Sequence, residues 1–132
     1  MKYKAGYKYQ LIENEAFNTP IKTGVSVEGD FYRLDGDGFL IIRKGYAWDG
    51  PSGPTRDTKN FMRGSLPHDA LYQMFGEGKL DPSVWREAAD KFLIEICKED
   101  GMSAIRRAWV YAGVRVGGAR IARTPDKIHQ AP

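Results

Sequence analysis

The stretch from Gly45 to Gly64 does most to limit what this chain can fold into. It holds Gly45, Gly50, Gly53 and Gly64 with Pro51 and Pro54, a spacing that leaves no room for long regular structure. Hydrophobic residues on its two sides follow different periods. Before it they alternate, as in strands: Tyr7 to Ile12 holds apolar and aromatic residues in rough alternation, and Ile21, Thr23, Val25 and Val27 alternate strictly. Phe31-Tyr32-Arg33-Leu34 reads as a short strand. Asp35-Gly36-Asp37-Gly38 is a hairpin signal, and Phe39-Leu40-Ile41-Ile42 is the most apolar strand. The expectation is an antiparallel β-meander with one face on helices.

After the Gly/Pro stretch the period becomes helical. Pro67 suits the first turn of a helix, where its missing N–H costs nothing, and Gly76-Glu77-Gly78 ends the run near Phe75. Asp81-Pro82 supplies an N-cap and a first helical position, and Gly101 a stop. Between them Trp85, Ala88, Ala89, Phe92, Leu93, Ile96 and Cys97 cover about half a helical circumference. Ser103 caps a third helix through about Gly117, with Ile105, Trp109, Ala112 and Val116 as its apolar line. The chain therefore reads as a single α+β domain over residues 1–119, with strands in about 6–43, a loop at 44–65 and helices in about 66–118. A basic C-terminal tail follows at 120–132.

At 132 residues and 42% hydrophobic, one domain can build a core without staples. The single cysteine, Cys97, excludes an internal disulfide framework and reads as a core residue. Met1-Lys2-Tyr3-Lys4 opens no secretory leader, and no run approaches the ~20 apolar residues of a membrane span, so synthesis in a cytoplasm is expected. The formal charge of +3 is uneven. From Gly101 to Pro132, six basic residues stand against Asp126 alone, a local net charge of +5. The plain reading is a solvated helix face and a polar tail. The sharper one is contact with lipid head groups or another anionic surface.

Chemistry concentrates around Leu66-Pro67-His68-Asp69-Ala70-Leu71-Tyr72, which contains one of the two histidines. On a helix His68 and Tyr72 lie one turn apart on one face, and Asp69 sits about 100° round from His68. Asp90 falls at the edge of the apolar arc of the following helix, where a carboxylate needs a partner. A histidine oriented by a buried carboxylate is a general base for water. Asp69 and Asp49 are hard oxygen ligands, and a glycine-proline turn can aim carbonyl oxygens at one point, a donor set suited to Ca²⁺ rather than to transition metals.

His68-Asp69-Ala70-Leu71-Tyr72 resembles the H-D-x-x-Y catalytic helix of phospholipase A2, and Trp48-Asp49-Gly50-Pro51-Ser52-Gly53 resembles its calcium loop. The likeness is greatest to the form found in parvovirus capsid proteins, whose second helix carries an A-D-x-x-F like Ala89-Asp90-Lys91-Phe92. The resemblance implies that His68 activates water, Asp90 orients it and Tyr72 bonds to Asp90. It implies calcium bound by Asp69 and the carbonyls of Trp48, Gly50 and Ser52, with Asp49 nearby and the Gly50 N–H on the oxyanion. A second resemblance, from about Phe39 to Gly118, is to a small phage and prophage family of unknown function. It is carried by Asp49-Gly50-Pro51-Ser52-Gly53-Pro54, H-D-x-L-Y, A-D-x-x-F and the R-x-x-x-Y-x-x-V-R of Arg107 to Arg115. It implies a phage gene product and no settled activity. Synthesis in the host cytoplasm, virion association, and a phospholipid membrane surface or other virion proteins as partners are the accompanying expectations.

The leading expectation is a calcium-dependent, phospholipase-like hydrolase or its non-catalytic descendant. The alternative is a virion structural or accessory protein whose Asp-His-Asp network braces a loop. In that reading His68 bonds the preceding loop, Asp69 serves the helix dipole, Asp49 caps a tight turn, Asp90 pairs with Arg86, and the tryptophans pack. A metal phosphohydrolase would need a histidine upstream of His68, and none is present. Only the basic segment would support nucleic-acid binding, which is not expected.

Overall fold

The computed structural model describes residues 1–4, 9–48 and 59–123. Its N-terminal half forms two antiparallel sheets. β1 (Tyr3–Lys4), β2 (Tyr9–Leu11) and β7 (Ala47–Trp48) make one, in that order. The other has the order β3-β6-β5-β4, with β3 at Glu15–Asn18, β4 at Val27–Glu28, β5 at Tyr32–Leu34 and β6 at Phe39–Ile42. The β4-β5-β6 portion is the expected meander. Asp35 to Gly38 closes its main hairpin, with bonds of 2.9 Å from Asp35 N–H to the Phe39 carbonyl and from Gly38 N–H to the Asp35 carbonyl.

One strand was misplaced by the sequence pattern. The alternating run Ile21 to Val27 is largely loop; only Val27 enters a strand, and Val25 is two-thirds exposed. On the side away from β5, β6 pairs with Glu15–Asn18, whose single inward side chain, Phe17, packs edge-on against Phe92. A four-residue strand with one buried position carries too little pattern to be seen in advance.

Three helices follow: α1 (Lys59–Gly76), α2 (Pro82–Glu99) and α3 (Ala104–Arg123). Together with the antiparallel strands they make an α+β fold. α1 begins well before Pro67, so the proline lies inside the helix rather than at its start, and the expected loop at 44–65 is shorter at its C-terminal end. Burial explains this: Phe61, Met62, Ser65 and Leu66 recur at helical spacing and are all buried, so packing outweighs the cost of an interior proline, about 3 kcal/mol. Gly64 also sits inside this helix because α2 passes close by. A Cβ there would lie 2.9 Å from Leu93 Cδ1 and 3.2 Å from the Leu93 carbonyl oxygen.

The caps of α2 are as the sequence indicates. Asp81 accepts from the Ser83 N–H at 2.9 Å, and Gly101 takes a φ of 91° just past the C-cap. Its inner face buries Ala89, Asp90, Phe92, Leu93, Ile96 and Cys97. The thiol of Cys97 is pushed up to about 12 by burial and by the nearby Asp100 charge, which makes it an inert core group. α1 and α2 run antiparallel, since Arg63 meets Asp100, Gly64 meets Cys97 and Tyr72 meets Asp90.

α3 is capped by Ser103, whose Oγ accepts from the Arg106 N–H at 3.2 Å, and continues to Arg123 rather than ending near Gly117. Its buried face is not the expected one. Val110 is 3% exposed, whereas Ile105, Trp109 and Val116 are 76%, 71% and 80% exposed. The rest of the expected tail, from residue 124 on, lies outside the described residues.

Candidate functional site

The site forms where the three helices meet. α1 contributes His68, Asp69 and Tyr72, α2 contributes Asp90 and Arg86, and α3 contributes Arg115. Asp90 is the hub, a carboxylate with 0% exposure. Its Oδ1 lies 2.7 Å from His68 Nε2 and accepts from the Tyr72 hydroxyl at 2.7 Å. Its Oδ2 accepts from Arg115 Nη1 at 2.8 Å and lies 3.6 Å from Arg86 Nη1. The pairing with Arg86, one turn back on the same helix, thus coexists with the pairing to His68. Among the described residues no buried side-chain nitrogen or oxygen lacks a hydrogen-bond partner, as a buried ionic cluster requires.

These contacts set protonation states. Burial opposes the charge on Asp90, but bonds from His68, Tyr72 and Arg115 outweigh it and hold the carboxyl below its ordinary range. An ionised carboxylate only accepts, so neutral His68 must carry its proton on Nε2, leaving the Nδ1 lone pair free to act as base. Nδ1 faces the Asp69 carboxylate, with Oδ1 at 4.0 Å, an electrostatic distance rather than a hydrogen bond. Burial also opposes charge on His68, yet the carboxylates of Asp69 and Asp90 raise its pKa above the usual histidine value. Burial and the bond to Asp90 push the Tyr72 phenol far up, so it stays a neutral donor.

Second contacts hold these groups still. The His68 and Tyr72 rings lie 4.4 Å apart, Tyr72 packs edge-on against Phe75, and Arg86 Nη1 donates to the Arg115 carbonyl at 3.1 Å. Gly118 of α3 is buried against Tyr72, where any Cβ would collide with the phenol. One turn before Asp69 on α1, Ser65 Oγ accepts from Trp48 Nε1 at 2.9 Å, so β7 ends against the N-terminal half of α1.

The sequence expectation of His68, Tyr72 and Asp90 within bonding reach is met in the geometry, and Asp69 lies beside His68. Trp48 is buried through its side chain. Asp49, Gly50 and Ser52, the remaining expected calcium ligands, lie outside the described residues. Among the described residues no cluster of three or more His, Cys, Asp or Glu side chains could hold a metal, and of the expected ligand side chains only Asp69 is described. Sequence reasoning missed Arg115 as a partner of Asp90; it entered as the last residue of the R-x-x-x-Y-x-x-V-R run and as one of the C-terminal basic residues. Its signal was the unpaired charge of Asp90, which calls for more than one cation or donor once burial is complete.

The chain gives no match to family models, to curated proteins or to solved structures. Among the described residues no helix is long and apolar enough to cross a membrane.

Proposed function

We propose that this chain is a phage-encoded hydrolase of lipid esters, of the calcium-dependent phospholipase type, with His68 as general base. One observation carries the reading. A buried, ionised Asp90 takes up His68 Nε2 at 2.7 Å, which leaves Nδ1 as the basic nitrogen on the side of Asp69. Nδ1 takes a proton from water as the water oxygen attacks the ester carbonyl, and Asp90 stabilises the imidazolium that forms; when the tetrahedral intermediate collapses and the ester C–O bond breaks, the imidazolium returns that proton to the departing alkoxide and His68 is neutral again. Tyr72 and Arg115 keep Asp90 ionised and oriented, so they act as positioning residues. Such a base contributes about 10²–10⁴-fold.

Calcium fits the donor chemistry as far as it is described: Asp69 is a hard oxygen ligand, one-third exposed, beside the base. Carbonyls of residues 48–52 would complete the set, starting at Trp48, which is anchored to the same helix through Ser65. When bound, the ion supplies polarisation of the ester carbonyl and charge for the oxyanion.

The test is release of fatty acid from phospholipid vesicles with millimolar calcium. Release is expected from the intact chain, loss of it in His68→Ala, and weaker calcium uptake in Asp69→Asn. A folded protein with no calcium uptake by calorimetry and no release at any calcium concentration overturns the reading.

A second reading has its own support. Asp90 gathers partners from all three helices, including two arginines. A non-catalytic virion structural or accessory protein would use that cluster to brace the helices and the segment before α1. His68→Ala would then lower the melting temperature with no activity to lose.

A further inference from the structure

Trp48 is the last residue of β7, and three kinds of contact hold it. Its backbone pairs with Tyr9 of β2 in the three-stranded sheet. Its ring, 2% exposed, sits among three tyrosines: Tyr3 edge-on with ring centres 6.0 Å apart, Tyr9 tilted at 5.7 Å and Tyr46 stacked at 6.4 Å. Its indole N–H donates to Ser65 Oγ at 2.9 Å, in the interior of α1. A packed ring needs only the first two. The third fixes the direction of the indole and ties β7 to one helix, because a hydrogen bond weakens steeply once it is bent.

Helix packing does not account for Ser65. It is 2% exposed in the middle of α1, where alanine would suit the helix better and bury no polar atom. Among the described residues its hydroxyl has two partners. It donates to the Met62 carbonyl at 2.7 Å, a bond any helical serine can make within its own turn. It accepts from Trp48, a bond particular to this fold. Position gives that second bond its consequence. His68 and Asp69 follow Ser65 by three and four residues, so all three share one face of α1. The end of β7 is thereby fastened one turn before the base and before the carboxylate that the calcium reading uses.

We propose that Ser65 is a positioning residue for calcium: through the Trp48 indole it holds the end of β7, and with it the Trp48 carbonyl, on the face of α1 that carries Asp69. The inference rests on the calcium reading above and adds to it a role for the N-terminal sheet. Tyr3, Tyr9 and Tyr46 confine the ring, and Ser65 sets its direction. Groups that orient a metal ligand from outside the coordination sphere change metal affinity by about 10–100-fold when they are removed. Ser65 belongs at the lower end of that range, since it acts on the carbonyl through the side chain of the same residue.

The test is calcium titration of the full chain by calorimetry, for the unsubstituted protein, Ser65→Ala, Trp48→Phe and the two changes together. Each single change is expected to weaken calcium uptake about tenfold. The double variant should be little weaker than either, because both changes remove the same bond. Phe17→Leu is the control for stability alone. It loosens β3 against α2, should lower the melting temperature, and should leave calcium uptake as it is. The indole N–H resonance that Trp48→Phe removes from the NMR spectrum should move as the unsubstituted protein takes up calcium. An unsubstituted protein that takes up no calcium overturns the calcium reading and this inference with it. Uptake that Ser65→Ala leaves unchanged overturns the positioning role alone. So do single losses that add up in the double variant, an indole resonance that stays in place at saturating calcium, or a loss in Phe17→Leu equal to that in Ser65→Ala. If Trp48→Phe does not fold, Ser65→Ala against Phe17→Leu decides by itself.

Discussion

α1 and α2 are joined by ionic clusters at two places, and the two differ in access to water and in the histidine, the tyrosine and the third helix that only one of them includes. At one end Arg63 of α1 grips the end of α2, with Nε 3.0 Å from Asp100 Oδ2 and Nη2 2.8 Å from Glu99 Oε1. Arg63, Asp100 and Glu99 side chains are 32%, 24% and 65% exposed. At the other, Asp90 has similar distances to its partners and no exposure at all. A surface pair contributes about 0–1 kcal/mol, because water solvates the separated charges nearly as well. A buried pair contributes little against an apolar replacement, but breaking it strands a charge that water cannot reach. The Asp90 cluster is therefore the one that dictates which partners must be present, and it is also the one with a histidine poised for chemistry.

The sharpest way to break this comparison is Asp90→Ala. It leaves Arg115 and Arg86 facing an uncompensated hole, so urea denaturation should show a loss of about 3–5 kcal/mol. A loss below about 1 kcal/mol would mean that the cluster behaves like the surface one. Arg115→Met comes next. Asp90 keeps His68, Tyr72 and Arg86, and the expected loss is about 1.5–3 kcal/mol, the range for a bond to a charged group. Gly118→Ala should cost about 1–3 kcal/mol by pressing on Tyr72. It should also lower any esterase rate without removing the base, whereas an unchanged rate would detach Tyr72 from the positioning of Asp90.

The pH dependence sharpens the same contrast. The pKa of His68 is raised on folding, so its contribution is full below about 6.5 and fades as pH climbs through the raised value. That of Asp90 is depressed, so its contribution is full above about 3.9 and is lost as pH falls through the lowered value. Both act fully between those limits, and His68→Gln should remove the loss on the alkaline side. Hydrolysis needs neutral His68 and should rise across the same alkaline limb, so stability and rate should move in opposite directions there. The smallest effect belongs to Arg63→Ala. Its cost should be about 1 kcal/mol or less and shrink further in 1 M salt, while that of Asp90→Ala should change little.

Helix caps were legible because each rests on one residue and its neighbour: Asp81 before Pro82, Gly101 past the end of α2, Ser103 before α3. The His68–Tyr72 face and the His68–Asp90 pairing were legible for a related reason, whereas the Tyr72–Asp90 bond was expected only from the resemblance to phospholipase A2. One turn of helix sets the first pair, and a carboxylate on an apolar arc demands a partner. Arg115 was not legible as a partner of Asp90: it closes the R-x-x-x-Y-x-x-V-R run, but nothing local ties it to a carboxylate on another helix. Nor was the burial of Asp90, which was expected at the edge of the apolar arc and is complete because α3 closes over it.

Periodicity alone determined that strands precede helices and that α2 turns Phe92, Leu93, Ile96 and Cys97 inward, because those patterns are long and each position reinforces the next. Only the tertiary structure decided three other matters. α1 runs through Pro67 because its first two turns have α2 and the core to bury against. Glu15–Asn18 becomes a strand because β6 has an edge for it. α3 buries Val110 and leaves Trp109 in water, although the sequence makes the Trp109 line the more apolar. A helix can satisfy only the face its neighbours leave open, and here Arg115 and Gly118 must meet Asp90 and Tyr72. Tying the buried carboxylate sets the rotation of α3, and the apolar stripe is turned outward as its consequence.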